Sequence, residues 1–514
     1  MIKAGQLYNL PKMYKSGGIF MEKTNQRASL SSLALLLMTF SAVFSFGSLI
    51  DNTVVIGLSA LPGYMFGTIF YFLPFSLMVA EFTSANAESE SGIHQWISSA
   101  LGPKWAFLGG WSYFFVNLFF FCSLVPKTLI YASYFILGHN VFDGDNMVIV
   151  SSILSIVVFW AATFICIKGI DWMSKVTNIA GLAKIGIGIL FIIFAFIIVF
   201  GFGDQPAQQF NASTLTPKFD WTFFMVMAWI FQAVGGAESI GCYVKDIKGG
   251  NKAFVRTMFI SSLVIGGLYV LGVVAIGLIV PSNVLSNNFS NGIFDAFYII
   301  GQRFGMGGIV RRLVGFIMLL CNLGSLMVWT AAPVKVLFSE IPEGIFGSWV
   351  VKTDHKGNPY NALILQAAVV SVMLIIPALG VNSINSFLQT LTNMTASTAL
   401  VPMLFFFAAY IVLRWKKDAM PRNFRLGGRT FGIAAGIALF CIFLFVFFMS
   451  TVPEPSSMIA QLNGTLEEGV TKPINILIYN IIGLVIFLGF AVICWNRYEK
   501  KSKNTASVEI SNKN

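Results

Sequence analysis

The chain has 514 residues, of which 56% are hydrophobic and only 11% charged, with a mean hydropathy of +0.77. A soluble domain of this size cannot hide that much apolar surface, so the composition predicts a polytopic membrane protein. The net charge of +11 would suit nucleic acid if it formed a patch, but the basic residues crowd short loops and the tail, which is a topology signal. No nucleic-acid partner is expected.

The first residues, 1–28, are polar and basic and hold no apolar core for a cleavable signal peptide; Met21 is a possible alternative start. Apolar spans follow at 29–53, 56–82, 105–137, 147–167, 176–202, 221–244, 257–280, 309–337, 361–380, 386–413, 430–451 and 474–495. These predict an all-α protein with about twelve transmembrane helices. Lys168, Lys175, Lys245, Lys248, Lys252, Arg256, Lys352 and Lys356 fall in alternate loops, joined by Arg414, Lys416, Lys417, Arg422, Arg425, Arg429 and a basic tail from Arg497. This bias predicts a multi-pass plasma-membrane protein with both termini in the cytoplasm. The long outer loop, 281–308, should hold short helices lying on the surface.

Two spans carry internal irregularities. In the sixth, Gly235 and Gly236 precede Glu238 within an apolar run. Paired glycines weaken a helix, and a carboxylate in hydrocarbon needs protein or water around it. Either the helix is broken there to line a cavity, or the glycines serve close packing and Glu238 pairs with a neighbour. The first span has a similar weak point at Ser45, Phe46, Gly47 and Ser48, followed by Asp51. Spans one and six lie five apart and so enter the bilayer from opposite sides. Interrupted helices in corresponding halves of an inverted repeat point to a transporter binding site, and favour the broken-helix reading. The implied units are a first repeat at 29–202, a second at 221–413, two further helices at 430–495 and a tail at 496–514.

Several stretches carry a family likeness. FGSLI at Phe46, Gly47, Ser48, Leu49 and Ile50 is similar to the Gly-Ser-Gly-Ile-Phe loop of the amino acid–polyamine–organocation (APC) permeases, with Leu49 in place of the second glycine. SGIHQWISSALGPKWAFLGGW, 91–111, resembles their first cytoplasmic loop, and GAES at Gly236, Ala237, Glu238 and Ser239 resembles the GVES of bacterial exchangers. IPEGIFGSWVVKTDHKGNPYNAL, 341–363, resembles the loop between helices eight and nine. In this order the matches cover residues 30–415 and identify the chain as a member of that family, nearest the bacterial glutamate/GABA antiporters. The resemblance implies a five-plus-five inverted repeat with broken helices one and six, and exchange or symport of amino acids or amines.

An amino acid offers a carboxylate and an ammonium on one carbon. A broken helix presents free N–H groups at the start of its second half and free carbonyls at the end of its first. The N–H groups after Gly47 and Gly236 suit the carboxylate, and carbonyls near Ser45 and Ala233 suit the ammonium. Gln232 stands where several relatives have a gating aromatic, with Trp229 and Phe231 beside it. Asn117, Asn322 and Ser325 can face the cavity or serve interhelical hydrogen bonds.

Four charges in the spans stand apart. Lys184 can snorkel to the cytoplasmic surface, but its spacing from Val176 resembles family members in which a lysine replaces a sodium ion and bridges the first-helix break to helix eight. Glu238 matches the family's acidic position, for substrate or proton handling, or else bonds backbone at the break. Asp51 and Lys127, which follows Pro126 in helix three, depart from the family pattern; they form a buried pair or take part in substrate selection.

Cys122, Cys166, Cys242, Cys321, Cys441 and Cys494 lie in apolar stretches without metal spacing and are expected to pack. His94, His139 and His355 fall outside the spans, His94 in a structural role, and no nucleophile–base pair or phosphate loop stands out. No enzyme, metal or cofactor is expected. A sensor on the same fold should carry a longer terminal domain, and a sodium symporter is the nearest rival. LFCIFLFVFFMS, 439–450, should face lipid.

Overall fold

The computed structural model describes residues 30–86, 92–144, 147–168, 173–245, 247–286, 288–340, 344–353, 359–381, 383–466 and 472–511. The expectations that fall on residues 1–29, 91, 341–343, 354–358 and 512–514 lie outside these. Among the described residues the protein is helical without a strand, its one extended contact being an isolated bridge between Leu30 and Ile247.

Helix one consists of two halves, Ser32–Val43 and Phe46–Ile56. Ser31 starts the first by accepting the N–H of Ala34 (3.1 Å), and Ser45 starts the second by accepting that of Ser48 (3.3 Å). Helical backbone continues over Phe46–Ala85, 40 residues, about twice what one crossing needs. Gly57, with φ of 60°, separates the end of helix one from helix two, which continues from Ala60 to Ala85. Eleven described stretches are long and apolar enough to cross a bilayer, and Ser32–Val43 is a shorter apolar helix beside them. With the long stretch divided at Gly57, the described residues supply twelve candidate passes.

Helix three is Pro103–Leu137, helix four Met147–Lys168 and helix five Met173–Phe196. Helix six divides into Trp221–Val234 and Ala237–Ile240, its start capped by Asp220 (2.8 Å to the N–H of Phe223). Helices seven to twelve are Gly250–Ile279, Gly307–Glu340, Tyr360–Ala378, Ile384–Lys416, Arg429–Thr451 and Pro473–Ser511. Helix three packs against helices eight and ten, helix one against seven, and helix six against ten and eleven. The broken helices thus pack among uninterrupted ones, which is where irregular backbone is tolerated in a membrane.

Two expectations need correction. The 281–308 loop does hold helices, Ser282–Leu285 and Gly292–Arg303, but the second buries Ile293, Phe294, Phe297 and Ile300 instead of lying on the surface. Its apolar face is large enough to dock onto helices one and eight. Helix eleven does not simply face lipid: Leu439, Phe443, Val446 and Met449 recur at helical spacing on a buried face, while Leu444, Phe445 and Phe448 are exposed. Composition alone does not distinguish these faces, because both are apolar.

Candidate functional site

The two interruptions face one cavity of about 470 Å³, within the range of small-molecule sites. Helical bonding stops at Phe44 and Ser45 in helix one and at Gly235 and Gly236 in helix six. The first break lies slightly before the 45–48 stretch, because Ser45 caps a second half that is already helical from Phe46. Gly236 has φ of 113°, a conformation only glycine adopts without strain. Ser45, Phe46, Gly47, Ser48, Gln232, Ala233, Gly235, Gly236, Glu238 and Asn322 all line the cavity. Leu49, Ile50 and Ala237 do not; they are buried in the packing behind it.

The backbone groups at the breaks are already partly engaged. Tyr269, on helix seven, accepts the N–H of Ser45 (2.9 Å), and its hydroxyl faces the carbonyls of Val43 (3.0 Å) and Ala233 (2.9 Å). A phenol has one proton to give, so these two carbonyls share it. Glu238 accepts the N–H of Gly236 through Oε2 (3.1 Å) and the hydroxyl of Tyr113 through Oε1 (3.3 Å). The backbone-bonding alternative for Glu238 is therefore present, at the cavity wall. The N–H groups of Phe46 and Gly47, first in their half-helix, have no intrahelical acceptor.

All four singled-out charges line the cavity: Asp51, Lys127, Lys184 and Glu238. Lys127 and Asp51 form an ion pair of 2.5 Å, and the ammonium lies 4.9 Å from the centre of the Phe289 ring. Phe289 meets Trp229 edge-on, and Trp229 donates to Asn393 (2.9 Å). Lys184 has Cys321 of helix eight as its electrostatic neighbour. Among the described residues it makes no hydrogen bond to the first-helix break, so the bridge implied by the resemblance is not formed in this structure. Lys184 lines the same cavity as the two breaks. Asn322 donates to the carbonyl of Leu124 (3.4 Å) and to Thr128 (3.3 Å), and Asn117 to the carbonyl of Tyr113 (3.0 Å). Both amides are engaged in helix contacts.

Sequence reasoning missed Tyr269, Tyr113 and a charged cluster at the basic-loop end. There Glu81 of helix two accepts from Tyr410 (2.7 Å), Arg414 (2.8 Å) and the N–H of Leu426 (2.9 Å), with Arg422 at 3.0 Å. The side chains of Glu81, Arg414 and Arg422 are wholly buried. Helix eleven leaves room for it at Gly432, where a Cβ would lie 2.3 Å from Nε of Arg414. A lone tyrosine in the small and aliphatic run of helix seven was the available signal for Tyr269. His94 sits on the loop helix Ile93–Leu101, where burial lowers its pKa.

Residues 30–487 match the amino acid permease family. The chain belongs to that family. It is 25% identical over 380 residues to the aspartate/glutamate permease AcaP of Lactococcus lactis subsp. cremoris, covering 73% of this chain and 78% of the relative. The inner membrane transporter YjeM of Escherichia coli is 24% identical over 413 residues (76% and 83%). The glutamate/gamma-aminobutyrate antiporter of Lactococcus lactis subsp. lactis is 23% identical over 398 residues (76% and 78%). This permease is thus an amino acid transporter of the APC superfamily, not an enzyme, and the resemblance of its loops and breaks was a family likeness.

Proposed function

We propose that this permease carries amino acids or related amines across the plasma membrane by alternating access, as an exchanger or proton-linked carrier that needs no sodium. Both termini lie in the cytoplasm in this reading, and the repeats at 29–202 and 221–413 move against each other. The observation that carries it is the meeting of two interrupted helices at one cavity that also holds a fixed ammonium, Lys184. The breaks present backbone donors and acceptors to the part common to all amino acids, while Gln232 and the charged wall meet the variable part. Lys184 disfavours a second cation nearby, because like charges in a low-dielectric cavity repel strongly. The names of two relatives make glutamate and aspartate the first substrates to try.

The test is counterflow in proteoliposomes against a panel of amino acids and amines, with an imposed sodium gradient and without one. Uptake of an amino acid at the same rate in both conditions is expected. Strict dependence on sodium would remove the coupling assignment, and failure to move any amino acid or amine would remove the whole reading.

A further inference from the structure

The cavity's charged wall distinguishes between substrates. Four charged side chains line it, two of each sign, but they are not equally engaged. Both carboxylates are bonded: Asp51 to Lys127 at 2.5 Å, and Glu238 to the N–H of Gly236 and the hydroxyl of Tyr113. Lys184 has neither hydrogen bond nor ion pair among the described residues. Lys127 has three N–H donors, of which Asp51 takes one while the Phe289 ring covers another side. Of the four charged side chains, Lys127 and Lys184 therefore both keep N–H donors available to a ligand, beside the neutral donors of the breaks and of Gln232.

We propose that Lys127 selects the substrate by binding a carboxylate on its side chain, so that this permease takes dicarboxylic amino acids in preference to neutral or cationic ones. The inference rests on the transport reading above and adds the substrate class. Lys127 sits where such a group would arrive. Its partner Asp51 lies four residues beyond Gly47, a rise of about 6 Å along helix one, which is the reach of a short acidic side chain whose main-chain groups are held at the break. Lys127 itself follows Pro126, which has no N–H for the carbonyl one turn back, so helix three is weakened at this point. The Phe289 ring, 4.9 Å from the ammonium, is an apolar neighbour that lowers the dielectric around the pair.

The opposite charge does not fit. A substrate ammonium at this end would have to share Asp51 with Lys127, in a cavity that already holds Lys184. A neutral amide would leave the remaining Lys127 donors with a weaker acceptor, and a site built around a charged hydrogen bond discriminates against such an analogue. The side chain of Lys127 is 17% exposed and that of Asp51 12%, so both members of the pair keep contact with the cavity they line.

The experiment uses the full chain in proteoliposomes, with labelled glutamate and glutamine as the probes and lysine as a competitor. Wild type should prefer glutamate over glutamine by about tenfold or more, with lysine failing to compete. Lys127→Gln should reverse or abolish that preference, and Lys127→Arg should keep it. A purely structural pair would lower uptake of all substrates in proportion and leave the ratio unchanged, which would overturn the assignment. Should the variants not fold, thermal shifts of purified wild type with glutamate and with glutamine decide the matter: equal shifts sink the proposal. Uptake of neutral amino acids without preference for acids would defeat the Lys127 assignment alone, whereas no uptake of any amino acid would defeat the transport reading beneath it.

Discussion

The hydroxyl of Tyr269 lies 2.9 Å from the carbonyl oxygen of Ala233, at the end of the first half of helix six. The same hydroxyl reaches the carbonyl of Val43 and accepts the N–H of Ser45, so one side chain of helix seven ties together both interrupted helices. Tyr269→Phe keeps the ring stacked on Tyr64 but removes the proton and the acceptor. Each buried backbone group left without a partner costs about 1–3 kcal/mol. The variant should insert and purify, with a lower Tm and uptake reduced about tenfold or more; unchanged uptake would show that the breaks hold their shape without it.

Gly236 supplies the φ that opens helix six. Gly236→Leu forces a branched side chain into that conformation, where even a Cβ would stand 3.4 Å from Val43. Uptake should be abolished while membrane insertion, measured by surface labelling, stays normal. Normal uptake would remove the break from the mechanism.

Lys184 is the cation on which sodium independence is argued. Lys184→Ala should lower uptake at least about tenfold, and Lys184→Arg should rescue it poorly, because a planar fork replaces a compact ammonium. Initial rates in sodium and in choline media check this. An alanine variant with ordinary rates in both media would release Lys184 from any role in transport.

The Glu81 cluster predicts a stability effect away from the cavity. Removing one member of a buried charged pair costs about 3–5 kcal/mol, because the other is stranded. Glu81→Gln and Arg414→Met should each lower Tm in detergent strongly, and the double variant should lose less than the sum. Additive losses would mean that the two act independently.

His94 gives a pH dependence. Burial holds its pKa below the ordinary 6.5, so the folded state prefers the neutral ring. Its contribution is complete above the unfolded value and is lost as pH falls through the lowered folded one. Between about pH 7 and about pH 5 the Tm of wild type should fall more than that of His94→Gln. Parallel curves would contradict it.

The spans were legible because hydrocarbon admits few backbone solutions, and the breaks because glycine beside a buried acid conflicts with a smooth helix. The Asp51–Lys127 pair was also legible, since opposite charges on neighbouring helices seek each other. Tyr269 was not: a tyrosine in an apolar span reads as packing until the position of its hydroxyl is known. Neither was Glu81, at the end of an apolar helix, because its partners come from helix ten and from a loop that folds back under it. Arg414 and Arg422 carried a clear sequence signal, but it was one of orientation, and it concealed where the side chains end up.

That double signal has a consequence in time. A nascent chain is oriented by positive charges that remain outside the bilayer while its helices are still separate. Arg414 and Arg422 can serve in that capacity only before helix two brings Glu81 to them. Once folded, they are wholly buried and face no lipid headgroup. The same guanidinium groups are thus first a topological instruction to the emerging polypeptide and afterwards internal struts of the finished transporter.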